Sequence, residues 1–151
     1  MPITRNIVYN ILRGYFRTLI PDNIFNYITT IADASYLTAD GNWLRDMVLH
    51  DPILAPKRYR SDIFDCDDYV LYVKTKVGLY AANTPTIKRP LAVGYILTNL
   101  HAFNFGIDNN NRIYILNTQS EGRDIISPQS AEECAAFLGL ATNNPIRQLY
   151  I

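Results

Sequence analysis

Two runs of alternating residues, His101 to Ile107 and Asn111 to Asn117, flank Asp108-Asn109-Asn110 and constrain the fold more than any other feature of the chain. Asn and Asp tolerate the left-handed backbone that a tight turn needs, so the runs predict a β-hairpin. With a three-residue loop, Ile107 pairs with Asn111, Phe105 with Ile113, Phe103 with Ile115 and His101 with Asn117. Opposed residues share a face of a sheet. One face then carries His101, Phe103, Phe105, Ile107, Ile113, Ile115 and Asn117, apolar except for the histidine and asparagine at one end. The other holds Ala102, Asn104 and Gly106 against Arg112, Tyr114 and Leu116. A slip of one residue would move Asn117 to the opposite face, so the register decides whether it meets His101.

The rest of the chain reads as helices first and strands later. Ile7, Val8, Ile11, Leu12, Tyr15, Phe16 and Leu19 have helical spacing over 4–20, weakened at Gly14. Pro21 follows, and Asp22 is placed to cap a second helix to about Thr30; Asp40 is placed to cap a third holding Trp43, Leu44, Met47 and Val48. Pro52 and Pro56 enforce an irregular stretch to about Phe64. Asp65 then caps a helix over 66–80, with Cys66 at its first position and Asp67 and Asp68 in its first turn, where carboxylates suit the helix dipole. Leu91 to Thr98 predicts a strand, Ser130 to Leu138 a helix, and Ile146 to Ile151 a last strand. This order predicts an α+β fold, and 151 residues suit one domain, 1–151, with a core of ordinary size.

Composition narrows the function classes. Net charge is zero, which gives no support to binding of nucleic acid or of an anionic membrane. Lys57-Arg58-Tyr59-Arg60 reads as a solvated loop. No run approaches the ~18 apolar residues of a membrane span, and Asn99 and His101 close the most apolar one, Pro90 to Leu100. Arg5 is followed by no continuous apolar segment of a signal peptide, so the expected location is cytoplasmic, with a phage or injected protein left open. A disulfide-stapled domain usually carries more than the two cysteines here. Cys134, inside an amphipathic helix, reads as a core residue, with a single 66–134 bridge as the alternative.

Cys66 and His101 carry the chemistry that the pattern suggests. A helix packed on the His101 face would bring its N-terminus to the polar end of the hairpin. There His101 could take the thiol proton, the helix N-terminus would favour the anion, and Asn117 would orient the imidazole. The Cys66 backbone N–H could serve one side of an oxyanion hole. The second donor is not identified, with Asn42, Tyr59 and Ser61 as candidates. Glu121 is an alternative orienter beyond the strand end. Asp65, Asp67 and Asp68 are hard oxygen donors suited to a cation; without one, they raise the thiol pKa and blunt the nucleophile.

These residues resemble those of a papain-like cysteine peptidase. More narrowly, Phe64-Asp-Cys-Asp-Asp-Tyr69, His101-Ala-Phe-Asn104 and Ile113-Tyr-Ile-Leu-Asn-Thr-Gln-Ser120 resemble the C-terminal protease domain of fungal agglutinins of the Marasmius oreades type and its bacterial and phage relatives. In that family the cysteine opens a helix within a DCDDF-like motif and the histidine lies in HAxN. The third member is usually a glutamate in a strand ending EPQT, where this chain has Asn117-Thr118-Gln119-Ser120. The resemblance spans roughly 33–128. It implies a papain-like fold and calcium dependence, with Asp65, Asp67 and Asp68 as ligands.

The expected function is therefore cleavage of a peptide or isopeptide bond through a Cys66 thioester, with catalytic Cys66, His101 and Asn117, no cofactor required for the chemistry, and a peptide or protein as partner. The alternatives are a peptidoglycan stem-peptide amidase and a catalytically inactive papain-like binding or regulatory module. Loops 51–64 and 81–90 would set specificity.

Overall fold

The computed structural model describes residues 2–54, 65–120 and 123–151. The Lys57–Arg60 cluster, Tyr59, Ser61, Phe64 and Glu121 lie outside them. The described residues form a mixed α and β fold with five helices and a six-stranded sheet. The chain opens with a short strand, β1 (Pro2–Thr4), and the first helix is α1 (Arg5–Phe16), shorter than the expected 4–20. Thr4 caps it by accepting from the Ile7 N–H. Next come α2 (Asp22–Ile28), β2 (Thr29–Thr30), β3 (Ser35–Leu37) and α3 (Gly41–Leu49). Asp22 lies in the first turn of α2 and Pro21 takes the cap position, while Asp40 caps α3 as its sequence suggests, accepting from the Trp43 N–H at 2.9 Å. A 3₁₀ turn at Pro52–Leu54 precedes α4 (Cys66–Asn83). The strands β4 (Val93–Thr98), β5 (Ala102–Ile107), β6 (Ile113–Leu116) and β7 (Ile125–Ile126) follow, then α5 (Ala131–Leu138) and β8 (Ile146–Tyr150).

The large sheet has the order β2-β8-β4-β5-β6-β7, antiparallel except for the β2–β8 pair. Strands β1 and β3 form a separate antiparallel pair. At two or three residues each, β1, β2, β3 and β7 are too short for a period-two signal to stand out from the sequence.

The central hairpin forms with its register displaced. Ile107 pairs with Ile113 and Phe105 with Ile115, so five residues, 108–112, make the connection. Asp108 drives this longer turn: its carboxylate accepts from the N–H groups of Asn110 at 2.8 Å and Arg112 at 2.9 Å, and Asn111 takes the left-handed backbone. A displacement of two residues preserves the faces. His101 and Asn117 therefore still share one, as diagonal rather than direct neighbours.

Helices cover both faces. On one, α1, α2 and α5 bury Leu12, Phe16, Phe25, Cys134 and Leu138 against Phe103, Phe105, Ile107, Ile113 and Ile115. On the other, α3 and α4 bury Leu44, Val48, Tyr69, Val73 and Val77 against Val93, Tyr114 and Leu116. The expectation that the Cys66 helix packs on the His101–Phe103 face is thus corrected. It packs on the opposite face, where Ala102, Asn104 and Gly106 are small enough to admit it. Gly106 has a specific reason: a Cβ there would meet the Tyr114 hydroxyl at 2.2 Å.

Asn104 fastens α4 to this face. Fully buried, it donates its side-chain amide to the Val70 carbonyl of α4 and to the Gly94 carbonyl of β4, both at 3.1 Å. Asn104→Leu keeps the branched outline in a larger side chain but leaves both carbonyls without this donor. It is expected to cost about 2–4 kcal/mol, read as a lower urea midpoint at unchanged m-value.

Candidate functional site

The turn between β4 and β5 sets the backbone of His101. The Thr98 hydroxyl accepts from the N–H groups of Leu100 at 3.3 Å and His101 at 3.0 Å and donates to the His101 carbonyl at 3.0 Å. The imidazole stands edge-on to Phe103 with ring centroids 4.6 Å apart. Its Nε2 lies 3.1 Å from Asn117 Oδ1. That oxygen also accepts from the Gln119 N–H at 3.2 Å, which fixes which end of the amide faces the ring. An acceptor opposite Nε2 requires a proton on Nε2.

Cys66 occupies the first position of α4, half-buried beside Val70, Ala102, Leu97 and Tyr95. Its sulfur meets its own N–H and that of Asp67, as a helix N-terminus allows. Opposing these donors, burial first and then the charges of Asp65 and Asp67 push the thiol above its ordinary pKa. No hydrogen bond joins the sulfur to His101 among the described residues. The reason is topological: Cys66 packs over the Ala102 side of the sheet, while His101 packs with Phe103 and Asn117 on the other.

The acidic residues divide into two roles. Asp68 accepts from the Asp65 N–H at 3.3 Å and so belongs to the helix cap. Asp65 and Asp67 stand with Cys66 so that their ligating atoms lie within 4.8 Å of one another. The Asp67 carboxyl is pushed up, first by its hydrogen bond to the Asp65 carboxyl and then by burial. Asn42 is not at this site. It lines a polar recess of about 300 Å³ with Asp40, Asp108, Asn110 and Arg112, at the hairpin end away from His101. That recess was missed in the sequence because its residues come from separate segments.

Both cysteines are free, and Cys134 is fully buried in the core as its pattern suggests. No helix among the described residues is long and apolar enough to cross a membrane.

No family model and no curated protein matches the chain. Solved structures do. One, titled "PSL1a-E64 complex", aligns at 17% identity with a TM-score of 0.71, covering 99% of this chain and 51% of that one. Another is the Polyporus squamosus lectin bound to a human-type influenza-binding epitope, Neu5Aca2-6Galb1-4GlcNAc, at 17% identity and a TM-score of 0.69, covering 99% of this chain and 49% of that one. The chain thus spans about half the length of each, and the likeness is one of fold.

These findings correct the expected function. One matching structure is titled as a lectin with its glycan. Together with a thiol that is pushed up and, among the described residues, makes no hydrogen bond to the imidazole, this overturns the reading of the chain as a papain-like cysteine peptidase or amidase, and with it hydrolysis through a Cys66 thioester and a peptide substrate.

The thiols set two expectations. Cys66 should react with iodoacetamide more slowly at pH 7 than free cysteine does, with the rate still rising through pH 9. Both thiols hold their protons more tightly when folded, Cys134 up to about 12 through burial. Their contribution to stability is therefore complete below the ordinary thiol pKa and is lost as pH rises through the folded values. Urea unfolding should show stability falling from pH 8 to pH 10.5.

Proposed function

We propose that the chain is a non-catalytic binding module on a papain-like frame, with Cys66, His101 and Asn117 as its contact residues. One observation carries this reading: the polar groups at this end of the sheet are restrained, with the imidazole held 3.1 Å from the Asn117 amide and the thiol pushed above its ordinary pKa. Such a site offers fixed hydrogen-bond donors and acceptors and no activated nucleophile. A hydroxyl-rich ligand suits it, and a glycan is the class that the lectin neighbour's title suggests.

Calcium fits the same reading. The ligating atoms of Asp65 and Asp67 lie within 4.8 Å of one another, and a hard cation between them would offset the crowding of carboxyls that pushes Asp67 up. Asp68, held in the helix cap, would contribute less. Two carboxylates leave most calcium positions to water or to ligand hydroxyls.

The test is calorimetric titration of the full chain with the sialylated trisaccharide, with and without calcium. Saturable binding is expected, weakened about tenfold in His101→Ala and in Asn117→Ala, where a hydrogen-bond partner is lost, and retained in Cys66→Ser. The absence of saturable glycan binding would overturn the reading. So would rapid alkylation of Cys66 at pH 6 that disappears in His101→Ala.

A further inference from the structure

Far along α4 from Cys66, its C-terminal half and segment 87–91 enclose a groove of about 320 Å³. This is at the small end of the range for ligand pockets. Val77, Ala81 and Leu91 are buried side chains in its lining, joined by Ile87 and Pro90. Three cationic residues, Lys74, Lys88 and Arg89, line the same groove, and among the described residues no acidic one does. In a chain of zero net charge this is a local excess of one sign beside an apolar floor.

Two further observations concern the open space and the cation beside it. Gly78 also lines the groove, at an interior position of α4. Glycine there costs about 1 kcal/mol of helix stability relative to alanine. Yet a Cβ at Gly78 would meet nothing within 4 Å, so no neighbour excludes a side chain. The second is Lys74, whose ammonium is largely withdrawn from water. It donates to the Val93 carbonyl at 2.7 Å and faces the Tyr150 ring at 5.8 Å, while the charge of Asp33 acts on it from a distance. One hydrogen bond leaves two of its three N–H groups for another acceptor. Arg89 spends its Nε on the Ser35 hydroxyl at 3.0 Å, which leaves its terminal nitrogens available.

We propose that this groove binds a small organic anion with an apolar body, a medium-chain carboxylate by its chemistry. The anionic group would sit among Lys88, Arg89 and the Lys74 ammonium. The chain would lie along Val77, Gly78, Ala81 and Leu91. This site is separate from Cys66, His101 and Asn117, and it stands whether or not those residues bind a glycan.

Calorimetry or NMR titration of the full chain with octanoate, below its micellar range, tests the proposal. One-to-one saturable binding is expected, weakening by up to about fourfold for each methylene removed. The double charge reversal Lys88→Glu with Arg89→Glu should weaken it at least tenfold. Gly78→Leu should abolish it by filling the groove; leucine is a better helix former than glycine, so this variant stays folded. Acetate and octanol, carrying only the charge or only the chain, should bind far more weakly. Octanoate binding that Gly78→Leu leaves unchanged would overturn the proposal, as would octanol binding as tightly as octanoate, or no saturable binding at millimolar octanoate.

Discussion

The buried amide of Asn104 is the interaction on which the arrangement of this molecule depends. It sits on a buried sheet face and reaches two backbone carbonyls, one on α4 and one on β4. A buried donor must find an acceptor, so the helix cannot slide along the sheet without leaving a polar group unpaired. The same face is otherwise built for close approach, with Ala102 and Gly106 flanking Asn104 along β5. Tyr114 lies over Gly106, and the α4 side chains Val73 and Val77 fill the remaining space. The bulky residues Phe103, Phe105 and Ile107 face the other way, toward α1 and α5. Side-chain volume thus sorts the helices between the two faces.

That sorting decides what Cys66 and His101 are to one another. They come to the same end of the sheet, but from its two sides. Each is bound into its own surroundings: the thiol among Val70, Tyr95 and Ala102, the imidazole between Phe103 and Asn117. The electrostatics follow. Helix N–H groups favour a thiolate, but burial and two carboxylates oppose it and prevail. Solved structures at 17% identity share this fold over nearly the whole chain, while the chain covers only about half of theirs.

Much of the fold was legible locally. The cap at Asp40 acts where the pattern puts it, because a side-chain acceptor three residues before a free N–H is a short-range matter. The burial of Cys134 follows from helical periodicity in the same way. The hairpin was legible in its faces but not in its pairing. Alternation determines parity, while loop length depends on which backbone N–H groups the Asp108 carboxylate captures, and the apolar pattern says nothing of that. The meeting of His101 with Asn117 survived because the displacement was an even number of residues.

By itself, the sequence determined that helices precede a hairpin, that Cys66 opens a helix among carboxylates, and that His101 and Asn117 share a strand face. Each follows from spacing within a few residues or from the period of two. Only the tertiary structure decided which side of the sheet receives α4. That choice rests on the summed volumes of residues far apart in the chain, on the two acceptors that Asn104 finds, and on how deeply the thiol is withdrawn from water. These are properties of packing, and no local pattern encodes them.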